Sequence, residues 1–176
     1  MKNKTKRMTV AVMLAAIGII IPLIMPRIVI GHASYTLGSH IPLFIAIFIG
    51  PDVATFVGIA IGTGFFLSTT PIIAARAFSH VIWAVPAAFF FRRHHDTLIK
   101  PKNSLIFNFI IGVIHAIIEC LVVVMFFMVS PDEMPLLLMG IIIPIGLGGL
   151  AHSMIDYFFA GMVYKQLLLR TDLLTN

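Results

Sequence analysis

Long runs of apolar residues, separated by short clusters of polar residues, glycine and proline, extend along the whole chain. The runs are continuous, whereas a transmembrane β-barrel needs alternating segments of about 10 residues. A helix crosses a bilayer with about 20 predominantly apolar residues. The pattern therefore predicts an all-α membrane protein, with one integral membrane domain over residues 1–176. Six transmembrane helices are expected at approximately 8–25, 40–50, 51–67, 71–91, 104–129 and 138–169.

Residues that break helices separate the predicted spans. Pro26 follows the first helix, and residues 28–39 are expected to form a long first extracellular loop. Gly50 and Pro51 provide a tight turn between helices 2 and 3, because proline is well tolerated at the first position of a helix. Residues 130–135 form an acidic turn before the last helix, in which Pro144 predicts a bend.

Composition supports this assignment and excludes several classes of protein. Hydrophobic residues make up 60% of the 176 positions and charged residues only 11%, whereas about 25% is typical of soluble domains. The formal net charge is +5, but the basic residues show no groove-like pattern with interleaved aromatics, so nucleic acid is not an expected partner. Cys120 is the single cysteine, which excludes an internal disulfide and a cysteine-based zinc site.

The distribution of basic residues predicts the orientation. With six spans, the N-terminus, the 92–103 segment and the C-terminus share one side of the membrane, and almost all lysines and arginines lie in these three segments. The other side carries Arg27 together with Asp132 and Glu133. The positive-inside rule therefore predicts cytoplasmic termini in a multi-pass protein of the bacterial plasma membrane.

Ionisable side chains interrupt four of the apolar runs. Such residues are costly inside a bilayer and usually face a protein interior or a wet cavity, where they mark a ligand site or pathway. Three pairs have the i, i+4 spacing that puts both members on one helix face. The set comprises Arg76 with His80, His115 with Glu119, His152 with Asp156, and His40 at the start of another run.

Depth along each predicted helix sorts these residues. At about 1.5 Å per helical residue, Arg76 lies roughly 7 Å from the outer face and Glu119 about 16 Å. Arg76 and His80 are thus the favoured ligand contacts. Asp156 lies too deep and is expected to brace helices instead.

Each candidate contact also has a structural interpretation. Arg76 could bind a ligand anion or form an ion pair with Glu119, and His80 could contact ligand or bond to another helix. The aromatic rings of Trp83 and Tyr35 could stack on a flat ligand, although packing is the alternative for Trp83. The remaining candidates for the pocket floor, which could equally brace helices, are His40, His115, Glu119 and His152.

Two other functional classes use the same residues. A metal-dependent intramembrane hydrolase would use His80, His115, Glu119 and His152, since imidazole suits several transition metals. No His-Glu-x-x-His sequence is present, and Arg76 nearby would oppose a cation, so no metal is expected. Gly-x-Ser-x-Gly and Walker A sequences are also absent, so neither a serine hydrolase nor self-powered ATP-driven transport is expected. A self-sufficient proton-coupled carrier, with Glu119 and Asp156 as its relay, is the other alternative.

The layout resembles the S component, the substrate-binding membrane subunit, of energy-coupling factor (ECF) vitamin transporters. Helix 1 carries Ala11-Val-Met-Leu-Ala15, a small-xxx-small stripe that permits close helix approach. The resemblance implies that Ala11 and Ala15 dock on the transmembrane coupling subunit. It also implies two separate ATPase subunits, so that this chain is not an enzyme and holds no cofactor.

A further resemblance concerns the substrate. The stretches Gly31-His-Ala-Ser-Tyr35-Thr-Leu-Gly-Ser-His40 and Arg76-Ala-Phe-Ser-His80 look most like the niacin-type members. The resemblance thus implies capture of a small water-soluble B vitamin from outside, with niacin favoured. Pyridoxine, hydroxymethylpyrimidine and pantothenate remain as alternatives, because a pocket of arginine, histidine and aromatic residues suits them nearly as well.

Overall fold

The chain folds into a helical bundle with one short hairpin. The computed structural model describes residues 4–30, 33–127 and 138–170. The elements in chain order are α1 (Lys4–Ile24), β1 (Arg27–Ile30), β2 (Ala33–Thr36), α2 (Ile41–Ile49), α3 (Pro51–Ser68), α4 (Pro71–Arg93), a 3₁₀ turn (His95–Leu98), α5 (Pro101–Phe127), two π-helical segments (Leu138–Ile142 and Pro144–Gly148) and α6 (Gly149–Arg170).

The described helices are those of a membrane protein. Four of them, α1, α3, α4 and α5, are long and apolar enough to cross a bilayer. Large apolar side chains cover much of their outer surface, which in water would be an aggregation hazard and in lipid is the expected contact. The predicted all-α membrane fold is therefore confirmed at this level.

Helix α2 has the predicted bounds to within one residue but is too short to cross a bilayer by itself. It has nine residues, Ile41–Ile49, which at about 1.5 Å per residue cover roughly half of a 30 Å hydrocarbon core. Seven of its nine side chains are buried, including Leu43, Phe44 and Ile47. A helix that is apolar on every side belongs in the centre of a bundle, and α2 packs there against α1, α3, α4 and α6.

The predicted first outer loop contains a β-hairpin. Strands β1 and β2 pair antiparallel, with Arg27 opposite Thr36 and Ile30 opposite Ala33. Backbone pairing within the hairpin satisfies N–H and C=O groups that an irregular loop would leave to water. The apolar residues Ile28–Ile30 of β1 are exposed. A run this short is compatible with either a strand or a loop, so the sequence alone did not predict the hairpin.

Small residues in α3 allow close contact with α4. A Cβ atom at Gly58 would lie 2.8 Å from Cγ2 of Val81, and one at Gly62 would overlap the ring of Phe78. Both glycines are buried. The backbones of α3 and α4 can therefore approach more closely than larger side chains would permit.

Replacing Gly58 by leucine should destabilise the protein. The new side chain must displace Val81, and overpacking of this kind typically costs about 1–3 kcal/mol. Thermal unfolding in detergent would measure the loss. Gly140 offers the matched control, because a Cβ there meets nothing within 4 Å among the described residues. Equal stability of Gly58→Leu and Gly140→Leu would show that this close approach is unimportant.

The small-residue stripe of α1 faces the interior of this chain. Ala11 and Ala15 are 2% and 5% exposed, and Gly18 continues the same stripe. A Cβ at Gly18 would meet Ile61 of α3 and Pro42 of α2. The stripe permits close helix contact, and within this chain its neighbours are α2 and α3. Docking of Ala11 and Ala15 on a coupling subunit stays a prediction.

Several contacts bring the basic segments to one end of the bundle. Arg7 near the start of α1 forms an ion pair with Asp52 at the start of α3. At the same end, the hydroxyl of Tyr164 donates to the carbonyl of Phe48 at 3.2 Å. The loop residue Asp96 pairs with Lys100, whose ammonium group lowers the pKa of the Asp96 carboxyl through a hydrogen bond.

Boundaries of the last helices differ modestly from prediction. Helix α5 begins at Pro101, three residues before the predicted start at 104, and is described as far as Phe127. The acidic turn at 130–135 lies outside the described residues. The predicted bend near Pro144 corresponds to the π-helical segments before α6, where Pro144 cannot donate a backbone hydrogen bond.

Candidate functional site

A cavity of about 370 Å³ lies at the end of the bundle that carries the hairpin. Its walls come from α1, the hairpin, the α3–α4 turn, α4, α5 and α6. Its size falls at the lower end of the range of about 300–1,000 Å³ for small-molecule sites. Seven of the eight predicted contacts line it: Tyr35, His40, Arg76, His80, His115, Glu119 and His152.

Arg76 and Glu119 form an ion pair in the wall of this cavity. The Nη2 and Nε atoms of Arg76 donate to Oε2 and Oε1 of Glu119 at 3.0 and 3.3 Å. The two side chains are 17% and 6% exposed. Arg76 thus has its structural partner, but a guanidinium carries five N–H donors, and Glu119 receives only two of these bonds. Arg76 can therefore pair with Glu119 and still donate to a ligand anion.

Four imidazole rings from four helical elements converge on the floor of the cavity. The ring of His40 lies 4.8–5.0 Å, centroid to centroid, from the rings of His80, His115 and His152. The Nε2 atoms of His80 and His115 are 3.2 Å apart. His80 Nε2 also lies 3.2 Å from Oε1 of Glu119. These side chains are far apart in sequence, so only the packing of α2, α4, α5 and α6 brings them together.

Asp156 holds the turn that leads into α2. Its Oδ1 accepts from the backbone N–H of Gly38 at 2.8 Å, and its Oδ2 accepts from the N–H of His40 at 2.9 Å. The turn needs Gly38 because φ there is +86°. Oδ2 lies 3.3 Å from His40 Nδ1 and 3.4 Å from His152 Nε2. Asp156 is fully buried and lies behind these two rings, in the bracing position that its depth predicted.

Tyr35 connects the hairpin to the start of α6. Its hydroxyl donates to the carbonyl of Pro144 at 2.5 Å, and a Cβ at Gly148 would overlap the ring. Burial raises the pKa of the Tyr35 phenol, so the group stays protonated and remains a donor at neutral pH. The ring lies 5.6 Å from that of His152, at the edge of the cavity. The hairpin therefore covers the site and is fastened to α6.

Trp83 does not line the cavity. The side chain is 2% exposed and packs against Phe44 and His115, with ring centroids 5.5 and 5.0 Å apart. It follows His80 by about one turn of α4, which places it beneath the histidine floor. Trp83 thus supports the floor from below, and its predicted contact with a ligand is not seen in this arrangement.

Ser39 and Arg27 are among the polar cavity residues that the sequence did not indicate as contacts. Ser39 lies 3.1 Å from Nε2 of His152 and 3.3 Å from Nδ1 of His40 through its hydroxyl oxygen. Arg27, which the sequence showed only as an isolated outer charge, lines the cavity from β1. Nothing in the sequence indicated that the hairpin would bring Arg27 to the cavity.

The arrangement suits the binding of a small, flat, polar molecule. Arg76 can donate to an anionic group, the imidazoles and Ser39 can donate or accept, and Tyr35 offers an aromatic face. The hairpin and α1 shield the site from lipid. Bound molecules would reach it from the end where the hairpin lies.

Comparison with known proteins gives an independent line of evidence. The chain is 36% identical over 162 residues to the niacin transporter NiaX of Lactococcus lactis subsp. cremoris (strain MG1363). The alignment covers 90% of this chain and 73% of that protein. No family model matches the chain, and no solved structure matches it significantly.

Proposed function

Because this chain belongs to the niacin-type S components of ECF transporters, the family of NiaX, we propose that it captures niacin from outside the cell. The observation that carries this proposal is the cavity in which Arg76, four imidazoles and Tyr35 converge. The related protein is a niacin transporter by name, and the cavity has the size and the polar groups that niacin requires.

The chemistry of niacin matches the cavity group by group. Its acid form is a pyridine ring with one carboxylate, so it needs a cationic donor, an aromatic surface and a partner for the ring nitrogen. Arg76 retains N–H donors beyond those given to Glu119. Tyr35 supplies an aromatic surface, and an imidazole N–H can donate to the pyridine nitrogen. Arg27 at the cavity lining adds positive charge that favours the approach of an anion.

We infer a topology of six membrane passages with cytoplasmic termini. Four passages are the long helices α1, α3, α4 and α5. The turn after the hairpin together with α2 makes a passage through the protein interior, and α6 makes the last. Supporting this orientation, the end opposite the hairpin carries most described basic side chains, namely Lys4, Lys6, Arg7, Arg92, Arg93, Lys100, Lys102 and Lys165.

We also propose that release inside the cell depends on other chains. The sequence has no Walker A motif, so energy must come from elsewhere if niacin is accumulated. The partners expected of this family are a transmembrane coupling subunit and two ATPase subunits that use ATP. In this arrangement the chain supplies substrate recognition and has no catalytic role.

Binding measurements on the purified protein test the assignment of niacin as the substrate. Calorimetry should show saturable, one-to-one binding of niacin, and much weaker or no binding of pyridoxine, hydroxymethylpyrimidine and pantothenate. A site built to hydrogen-bond its ligand discriminates strongly against analogues that lack the matching groups. Equal binding of all four vitamins, or none of niacin, would refute the proposal. Uptake by proteoliposomes containing this chain alone would instead indicate a self-sufficient carrier.

A further inference from the structure

Three atoms on the cavity floor have the spacing of metal ligands. His80 Nε2 lies 3.2 Å from His115 Nε2 and 3.2 Å from Oε1 of Glu119, and His115 Nε2 lies 3.6 Å from the same oxygen. Ligand atoms of a tetrahedral zinc ion are about 3.3 Å apart, given bonds of about 2.0–2.2 Å. An ion slightly above the plane of this triangle would reach all three atoms.

Hydrogen bonds alone cannot satisfy all three atoms of this triangle. A neutral imidazole carries one N–H, which is on only one of its two nitrogens. His80 Nε2 has two neighbours at 3.2 Å, and a single hydrogen cannot point at both of them. A cation at the centre would instead accept a lone pair from each of the three atoms.

His40 is the candidate for a fourth ligand. One ring nitrogen of each of His40, His80 and His115 lies within 4.8 Å of the others. Nδ1 of His40 faces the carboxylate of Asp156 at 3.3 Å, which leaves Nε2 available for a ligand. A carboxylate behind a histidine is the usual outer-shell arrangement for imidazoles that bind metal, because it fixes the tautomer and the ring orientation.

Arg76 is less of an obstacle than the sequence suggested. Its Nη2 donates to Oε2 of Glu119 at 3.0 Å and its Nε donates more weakly to Oε1 at 3.3 Å, and Oε1 is also the atom that faces the imidazoles. Carboxylates that bind metal ions are commonly hydrogen-bonded by a further residue, and Arg76 has that position here. The guanidinium therefore orients the carboxylate, and Oε1 keeps a second lone pair for an ion on the side of the histidines.

The charge balance of the site also favours a cation. With neutral imidazoles, the buried groups Arg76, Glu119 and Asp156 carry one formal negative charge, and the exposed Arg27 adds one positive charge at the cavity lining. A niacin anion would bring the buried groups and ligand together to two negative charges, and the whole cavity to one. A divalent cation would neutralise the buried groups and ligand together, and niacin could bind it as a fifth ligand through its carboxylate or pyridine nitrogen.

We propose that His40, His80, His115 and Glu119 bind one divalent transition metal ion of the zinc type, and that this ion and niacin strengthen each other's binding. The metal site stands on the geometry alone, whereas its cooperation with the vitamin rests on the proposed function. The nitrogen and oxygen donors suit zinc, nickel or cobalt. The ion's role is in binding, as a Lewis acid that holds the ligand.

The first experiment measures the metal in the absence of vitamin. Protein purified without a polyhistidine tag is dialysed against zinc, and metal content is measured by mass spectrometry. We expect about one equivalent in the wild type, and affinity at least about tenfold lower in His115→Ala. The control is His94→Gln, an exposed histidine far from the cavity floor. Absence of stoichiometric zinc, or zinc binding unchanged in His115→Ala, would overturn the site.

A spectroscopic measurement on the wild type tests the site even if His115→Ala does not fold. The X-ray absorption spectrum of the zinc protein should show a first shell of nitrogen and oxygen with the outer-shell signals of imidazole. A sulfur ligand or a shell without imidazole would place the ion elsewhere and overturn the proposal.

Reciprocal titrations then test cooperation. Zinc should raise the affinity for niacin about 5–150-fold, and niacin should raise the affinity for zinc by the same factor, because linkage is reciprocal. Equal niacin affinity with zinc and with chelator would overturn the cooperation while leaving the proposed function intact. If neither preparation binds niacin, the proposed function fails, and so does the cooperation that rests on it. The metal content from the first experiment then decides the site alone.

Discussion

Replacing Arg76 by alanine is expected to abolish high-affinity niacin binding and to destabilise the bundle. The change removes the cation for the vitamin carboxylate and leaves Glu119, which is 6% exposed, without its partner. Removing one member of a buried ion pair costs about 3–5 kcal/mol of stability. Loss of a charge-pair contact to a ligand costs roughly 2–5 kcal/mol, or about 30-fold to several thousand-fold in Kd. Calorimetry and thermal unfolding measure the two effects.

A double variant tests whether the Arg76–Glu119 pair acts in binding or only in stability. Replacing a buried ion pair by apolar residues of similar volume is often neutral or stabilising. Arg76→Met combined with Glu119→Met should therefore unfold near the wild-type temperature and still fail to bind niacin. If this double variant binds niacin like the wild type, Arg76 is only a helix brace, as the alternative interpretation of the sequence holds.

Replacing Asp156 by alanine should cause the second large effect, a loss of about 3–5 kcal/mol in the free energy of unfolding. Two buried backbone N–H groups, those of Gly38 and His40, lose their acceptor, and each unsatisfied group costs about 1–3 kcal/mol. Niacin affinity should fall as well, because the turn that positions His40 loosens. Chemical or thermal unfolding of the detergent-solubilised protein would measure the change.

The same substitution at Asp96 is the control for Asp156. Asp96 lies on the surface and bonds to Lys100, so Asp96→Ala should leave unfolding and niacin binding essentially unchanged. Similar losses for Asp156→Ala and Asp96→Ala would contradict the role given to the buried carboxylate. Asp156→Asn should lie between wild type and alanine, since it keeps one carbonyl oxygen as an acceptor.

Much of the site followed from local rules that a sequence displays. The cost of ionisable groups in lipid marked Arg76, His80, His115 and Glu119 in advance. Depth along each helix, calculated from the rise per residue, assigned Asp156 a bracing position. These inferences succeed because hydrophobicity and helical periodicity act on each segment separately.

The sequence did not predict features that depend on several segments at once. Trp83 shares a face of α4 with His80, but His115 from α5 closes the floor between it and the cavity. Ala11 and Ala15 form the expected close-packing stripe, yet which helix fills it is decided by the arrangement of the whole bundle. For α2, the predicted bounds of 40–50 agree with the observed Ile41–Ile49 to within one residue, but only the packing of the bundle shows how so short a helix is buried on all sides.

The hairpin shows the same limit for the functional residues. Arg27 lines the cavity because it lies in β1 of the hairpin, and Ser39 does so because the turn between β2 and α2 places it against His152. Their sequence neighbourhood is that of an ordinary loop. The sequence therefore indicated the ionisable groups of the floor and Tyr35, and the structure added Arg27 and Ser39.

A structure of the protein determined with niacin would test the central claim most directly. One niacin molecule is expected in the cavity bounded by Tyr35 and His80, with its carboxylate within hydrogen-bond distance of Arg76 and its ring shielded by the hairpin. Niacin bound outside this cavity, or with no contact to Arg76 and the histidines, would contradict it.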